Sequence, residues 1–123
     1  MMSENTITIK VSTDENHVPT DIVWSAEGGD IKSRQAKAMS LAMWDEKDGT
    51  SMNMDLWTKD MSVDEMKRFV CDSMMTLANT LETATSDKGH AEAMRGFTSE
   101  LAKRIGIIDA NDEGVEGNPT TSE

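Results

Sequence analysis

Apolar and polar residues alternate at the start of the chain and settle into three-and-four spacing toward its end. In Thr6-Ile7-Thr8-Ile9-Lys10-Val11-Ser12, the side chains of Ile7, Ile9 and Val11 share one side of an extended segment and polar groups take the other. Asp14-Glu15-Asn16-His17 breaks the pattern, and Pro19 marks a turn or the first residue of a strand. Asp21-Ile22-Val23-Trp24-Ser25-Ala26 resumes the alternation, with Ile22, Trp24 and Ala26 inward. The two segments predict a hairpin, ended by Gly28-Gly29-Asp30.

Ala36 to Trp44 supports two readings. Alanine, methionine and leucine favour helix, and Ile31, Gln35, Met39 and Met43 fall at helical spacing. Against this, Asp45-Glu46-Lys47-Asp48-Gly49 has the composition of a hairpin turn, and beyond it Met52, Met54 and Leu56 alternate with Ser51, Asn53 and Asp55. A strand so soon after a turn needs an antiparallel neighbour. A second hairpin, Ala38 to Asp45 with Thr50 to Thr58, is the preferred assignment.

Helices follow. Ser62-Val63-Asp64-Glu65 is a capping box, and Met66, Phe69, Val70, Ser73, Met74, Leu77, Leu81 and Ala84 trace a stripe over about six turns. Ser86-Asp87-Lys88-Gly89 breaks or caps the chain. A second helix has Ala91, Met94, Phe97, Leu101, Ala102 and Ile105 as its buried stripe, and Gly106 suits the left-handed position after it. Ile107 and Ile108 return to the core. The expected fold is α+β: an antiparallel sheet of about four strands, in two hairpins, packed on two C-terminal antiparallel helices. Residues 1–108 form a single domain. Residues 109–123 carry five acids and no base, too polar to bury what ordering costs, and are expected to be a disordered acidic tail.

Composition narrows the functional classes. Lys and Arg number 12 against 23 Asp and Glu, a net charge of −11, which repels phosphate backbones and anionic lipid, so no nucleic acid is expected as a partner. No run of residues is long and apolar enough to cross a bilayer, so direct membrane insertion is not expected either. The opening Met1-Met2-Ser3-Glu4-Asn5 lacks the basic and apolar regions of a secretory signal, and a cytoplasmic location is expected. A lone cysteine, Cys71, allows no internal disulfide and no Cys-x-x-Cys metal site; its acidic surroundings suit an inert thiol. Eleven methionines fill a core or line a contact surface.

No catalytic group assembles in the pattern. His17 lies in a turn and His90 near a helix start, neither with a partner at a spacing that specifies a dyad. Asp109-Ala110-Asn111-Asp112-Glu113-Gly114 partly mimics a calcium loop, but Thr120 stands where the bidentate glutamate is required. No metal or cofactor is expected, and the chain is not expected to be an enzyme. Trp57 has the opposite parity to Met52, Met54 and Leu56, and Trp44 to Leu41 and Met43. Either the sheet is covered on both faces, or a bulge redirects the rings, or the tryptophans mark a binding surface.

Asp14-Glu15-Asn16-His17-Val18-Pro19, Ile22-Val23-Trp24-Ser25-Ala26, Ala36-Lys37-Ala38-Met39 and Met43-Trp44-Asp45 together resemble the gliding motility-associated GldC family. The most specific block is Met54-Asp55-Leu56-Trp57-Thr58-Lys59-Asp60-Met61, continuing into Val63-Asp64-Glu65-Met66-Lys67. The resemblance implies a small cytoplasmic protein associated with cell-surface motility machinery, with no established enzymatic activity or cofactor. The expected role is that of an accessory or adaptor protein touching motility or envelope machinery through Trp44, Trp57, Lys59 and Asp60. The alternative is a chaperone-like or peptide-binding module using methionine-rich surface and a sheet edge. Open edges make a homo-oligomer plausible in either case.

Overall fold

The computed structural model describes residues 3–107, so the expectations for Ile108 and for the acidic tail lie outside the described residues. The chain divides into two compact units, a strand-bearing one through Ser62 and a helical one from Val63.

In the first unit, β1 (Ile7–Thr13), β2 (Pro19–Ala26) and β3 (Ile31–Ala36) form an antiparallel sheet in the order β1-β2-β3. Ile7 lies opposite Ala26, Ile9 opposite Trp24 and Val11 opposite Ile22, so the predicted apolar sides of the two strands coincide. Being central, β2 carries the buried residue: Ile22 is 1% exposed, while Ile7, Ile9 and Val11 on the edge strand stay open to solvent. Asp14 organises the β1–β2 connection. Its Oδ1 accepts from the N–H groups of Asn16 and Val18, and the turn sets His17 at a φ of 64°.

The third strand corrects the expectation of about four strands in one sheet. Gly28-Gly29-Asp30 does not end the meander but turns it, with Gly29 N–H donating to the Ala26 carbonyl and Asp30 at a φ of 56°. Polar side chains and a bulge hide β3 from a pattern reading. The register shifts between Trp24 and Ala26, Ser33 takes a φ of 50°, and its N–H donates to Ser25 Oγ rather than to the ladder.

After Lys37 alone, β4 (Ala38–Asp45) begins and pairs with β5 (Thr50–Trp57) in a separate two-stranded sheet. The register runs unbroken from Ala38 opposite Trp57 to Asp45 opposite Thr50. The predicted second hairpin is therefore what forms. Asp45 closes its turn, the carboxylate accepting from Asp48 N–H and the carbonyl from Gly49 N–H, with Gly49 at a φ of 65°.

The second unit holds α1 (Val63–Thr85) and α2 (Lys88–Arg104). α1 starts directly after Ser62, where the capping box places it, and carries Asp64 and Glu65 in its first turn against the positive helix end. Asp87 caps α2, its carboxylate accepting from His90 N–H at 3.0 Å. α2 ends in a paired-bond motif: Gly106 N–H reaches the Lys103 carbonyl, Ile107 N–H reaches the Ala102 carbonyl, and Gly106 takes a φ of 84°.

The buried seam of the helices departs from the predicted stripes. In α1 it is offset, since neither Cys71 nor Ala78 belongs to the predicted eight, and in α2 it keeps Ala91 and Ala102 of the stripe and adds Thr98. Cys71 and Ala78 of α1 and Ala91, Thr98 and Ala102 of α2 are buried, whereas Val70, Leu77 and Phe97 are exposed, Phe97 at 63%. Small residues repeating at seven and four let two helices approach closely, and a phenyl ring does not fit that seam. Thr98 enters it because its hydroxyl donates to the Met94 carbonyl at 2.8 Å. Arg95 ties the antiparallel helices together, with Nη2 2.7 Å from Glu82 Oε1 and 2.8 Å from Asn79 Oδ1, and Nη1 2.6 Å from Glu92 Oε2. The Glu82 carboxylate, above all, holds the Arg95 pKa above the ordinary guanidinium value.

Candidate interaction surface

The alternation of β4 and β5 sorts their side chains onto two faces. One face carries Met39, Leu41, Met43, Met52, Met54 and Leu56, with no charge among the six. Met43, Met52 and Met54 are 60%, 59% and 54% exposed. The other face carries Ala38, Ser40, Ala42, Ser51, Asn53 and Asp55, bounded by Trp44 and Trp57. Ser40 Oγ donates across it to Asp55 Oδ1 at 2.7 Å.

Trp44 and Trp57 have the opposite parity to the methionines, as the alternation predicts, and no bulge redirects them: the register through both is regular. They are 72% and 55% exposed. Trp57 lies opposite Ala38, so roughly 20 Å of strand separates the two indoles at the usual rise per residue. They bound one face without forming a cluster.

Lys59 and Asp60 have a different setting. Thr58 N–H donates to the Lys37 carbonyl at 2.8 Å, Lys59 N–H to the Pro19 carbonyl at 3.1 Å, and Met61 N–H to the Thr58 carbonyl at 3.0 Å. Lys59 Nζ lies 2.9 Å from Asp14 Oδ2. The ammonium beside it, then the Val18 N–H, holds the Asp14 carboxyl below its ordinary value. The Trp57-Thr58-Lys59-Asp60-Met61 run is thus a clasp that fastens the end of β5 to the β1–β2 turn and the β3–β4 junction. Asp60 lines a cleft of about 250 Å³ with Thr20, Asp21, Gln35, Lys37 and Thr58. That is smaller than most small-molecule sites. Pattern reading missed the role of Asp14, although an aspartate two residues before an asparagine in a turn is a signal for it.

His17 lies in the β1–β2 turn, its N–H donating to the Asp14 carbonyl. His90 Nδ1 lies 2.6 Å from Asp87 Oδ2, a pair made by the helix cap that spacing alone did not specify. Two bonds from His90, the backbone one first, hold the Asp87 carboxyl below the ordinary range. Cys71 is buried, and burial, with a smaller push from Asp72, raises its thiol pKa. Among the described residues, no three His, Cys, Asp or Glu side chains gather where they could hold a metal ion, and no helix is long and apolar enough to cross a membrane.

Among the described residues, five antiparallel strands in two sheets, followed by a helical pair, define an α+β protein with an uncharged, exposed methionine face on one hairpin. The sequence matches the family of gliding motility-associated GldC-like proteins over residues 19–107, most of the chain, and the protein belongs to that family. The matched stretch begins at the first residue of β2 and spans every later element. Comparison with curated proteins and with solved structures gives no match.

Proposed function

We propose that this chain is a non-enzymatic accessory protein that supports cell-surface motility machinery through protein contacts, with the β4–β5 hairpin as its contact surface. The observation that carries the reading is the exposure of Met43, Met52 and Met54 on an uncharged face, with Trp44 and Trp57 open on the other. Apolar surface of this kind is costly to leave in water unless it is used, and methionine and tryptophan are favoured at contact sites. Family membership supplies the motility setting. The positions of the histidines, one in a turn and one in a helix cap, support a role without acid-base chemistry. Affinity capture from the native cell with the full chain tests the proposal. A motility or envelope component is expected to be recovered, and to be lost with Trp44→Ala or Trp57→Ala. Recovery of no such component, or equal recovery with both variants, contradicts it.

A second reading is favoured by the same methionines together with strand edges of β4 and β5 that no further strand covers among the described residues: a chaperone-like or peptide-binding module. Suppression of the aggregation of an unfolded client at stoichiometric ratio is its expected signature. No suppression at excess removes it.

A further inference from the structure

We infer that two copies of this chain pair through the outer edge of β4, antiparallel about a two-fold axis at Leu41. The inference rests on the hairpin being a contact surface and names a second copy as what covers its edge.

The ladder phase decides which groups face outward. Thr58 N–H donates to the Lys37 carbonyl, and the β4–β5 register continues that pairing, so Lys37 and the odd-numbered residues of β4 direct their backbone groups to β5. The N–H and C=O groups of Ala38, Ser40, Ala42 and Trp44 therefore point to the other edge, where β4 has no neighbouring strand among the described residues. Such an edge is a template for another strand.

The sequence of β4 is complementary to itself. With Leu41 opposite Leu41 of the second copy, Met39 meets Met43, Ser40 meets Ala42, and the exposed indole of Trp44 meets the small side chain of Ala38. Every pair keeps like face with like face, the Met/Leu residues on one side and the even-numbered residues on the other, which a shift of one residue would mix. One step further out, Lys37, which is already engaged within its own chain, comes opposite Asp45. Two-fold symmetry forms each of these pairs twice.

Charge favours this edge over that of β5. The segment Ile31 to Lys37 carries Lys32, Arg34 and Lys37 with no acid, in a chain of net charge −11. The β4–β5 turn carries Asp45, Glu46 and Asp48 against Lys47. Antiparallel pairing through β4 brings each acidic turn toward the basic segment of the other copy and holds the two acidic turns apart. β5 carries only Asp55 and no base within the strand, and the base that follows it, Lys59, is already bonded to Asp14. A lone two-stranded sheet is marginal in water, and the pair makes a four-stranded one. It also joins two Met/Leu faces into one continuous surface for the partner of the proposed function.

The test places a cysteine at the axis. In an antiparallel sheet the non-hydrogen-bonded pair at position 41 has Cα atoms about 4.5 Å apart, within disulfide range. The full chain with Leu41→Cys and Cys71→Ala is expected to form a covalent dimer on mild oxidation, while Met54→Cys with Cys71→Ala stays largely monomeric. Light scattering on the unmodified chain is expected to give a dimer mass at tens of micromolar. Lys37→Glu is expected to weaken the dimer about tenfold. A monomer mass at hundreds of micromolar, equal cross-linking at positions 41 and 54, or an undiminished dimer in Lys37→Glu overturns the inference. A monomeric chain that still captures a motility component would remove the dimer alone; a dimeric chain that captures nothing would remove the accessory role alone.

Discussion

Thr58 shows how a motif residue can serve the fold. It is 3% exposed at the start of the clasp, and its Oγ1 is buried without a partner among the described residues, although its backbone N–H is bonded to Lys37. A buried hydroxyl without a partner loses its hydration and gains nothing in exchange. Thr58→Val is therefore expected to stabilise the chain by about 1 kcal/mol in urea denaturation. A loss of stability of that size would show that the hydroxyl is bonded. Asp14 and Asp87 make the opposite case, since each accepts backbone N–H groups and faces a cation or an imidazole. Both carboxyls titrate below the ordinary 3.8, so the unfolded chain binds protons more readily than the folded one. Their stabilisation is present above that value and is lost as pH falls through the lower folded values. Asn at either position keeps the acceptor oxygen. The double variant Asp14→Asn, Asp87→Asn is expected to lose less stability than the parent between about pH 5 and about pH 3. Equal losses would place the acid sensitivity elsewhere.

At the scale of elements, the helical pair separates hydrophobicity from burial. Phe97 lies on the apolar stripe of α2 yet points to solvent, while Ala78 and Ala91 are wholly buried. Ala78→Leu is expected to cost about 1–3 kcal/mol by forcing the helices apart, and Phe97→Ala to stay within about 0.5 kcal/mol. Melting of the two variants checks both, and a larger effect at Phe97 would contradict the seam described. The same contrast explains what was legible beforehand. Strict alternation over Thr50 to Leu56, with an aspartate-rich turn before it, determines both the hairpin and the parity of its tryptophans, because an unbroken ladder preserves period two. In β3 the bulge at Ser33 breaks the period, and the strand went unseen. Helical spacing located both helices, but the buried residues of α1, Cys71 and Ala78, lie outside its eight-position stripe, because hydrophobicity marks large side chains and close helix packing selects small ones. The candidate contact residues divide in the same way. Trp44 and Trp57 were legible from parity, whereas the bonding of Lys59 to Asp14 depends on a turn 45 residues earlier in the chain.

On the scale of the whole molecule, two opposing properties coexist: an uncharged methionine face open to water and a net charge of −11. The charge limits indiscriminate contact between chains at neutral pH to pairings that bring unlike charges together, since like-charged molecules repel before short-range apolar contact begins. Protonation of carboxylates removes that protection as the isoelectric point near 4.5 is approached, while the apolar face is unchanged. Any association that ordered pairing does not exhaust should then turn into precipitation. The chain is accordingly expected to show a sharp solubility minimum close to its isoelectric point, measured as turbidity across the acid range. The variant Met43→Ser, Met52→Ser, Met54→Ser alters no ionisable group and so leaves the isoelectric point where it is. Because these side chains are more than half exposed, serine there removes apolar surface without opening a core cavity. Its minimum is expected at the same pH but much shallower. An unchanged depth would mean that precipitation is driven by other surfaces.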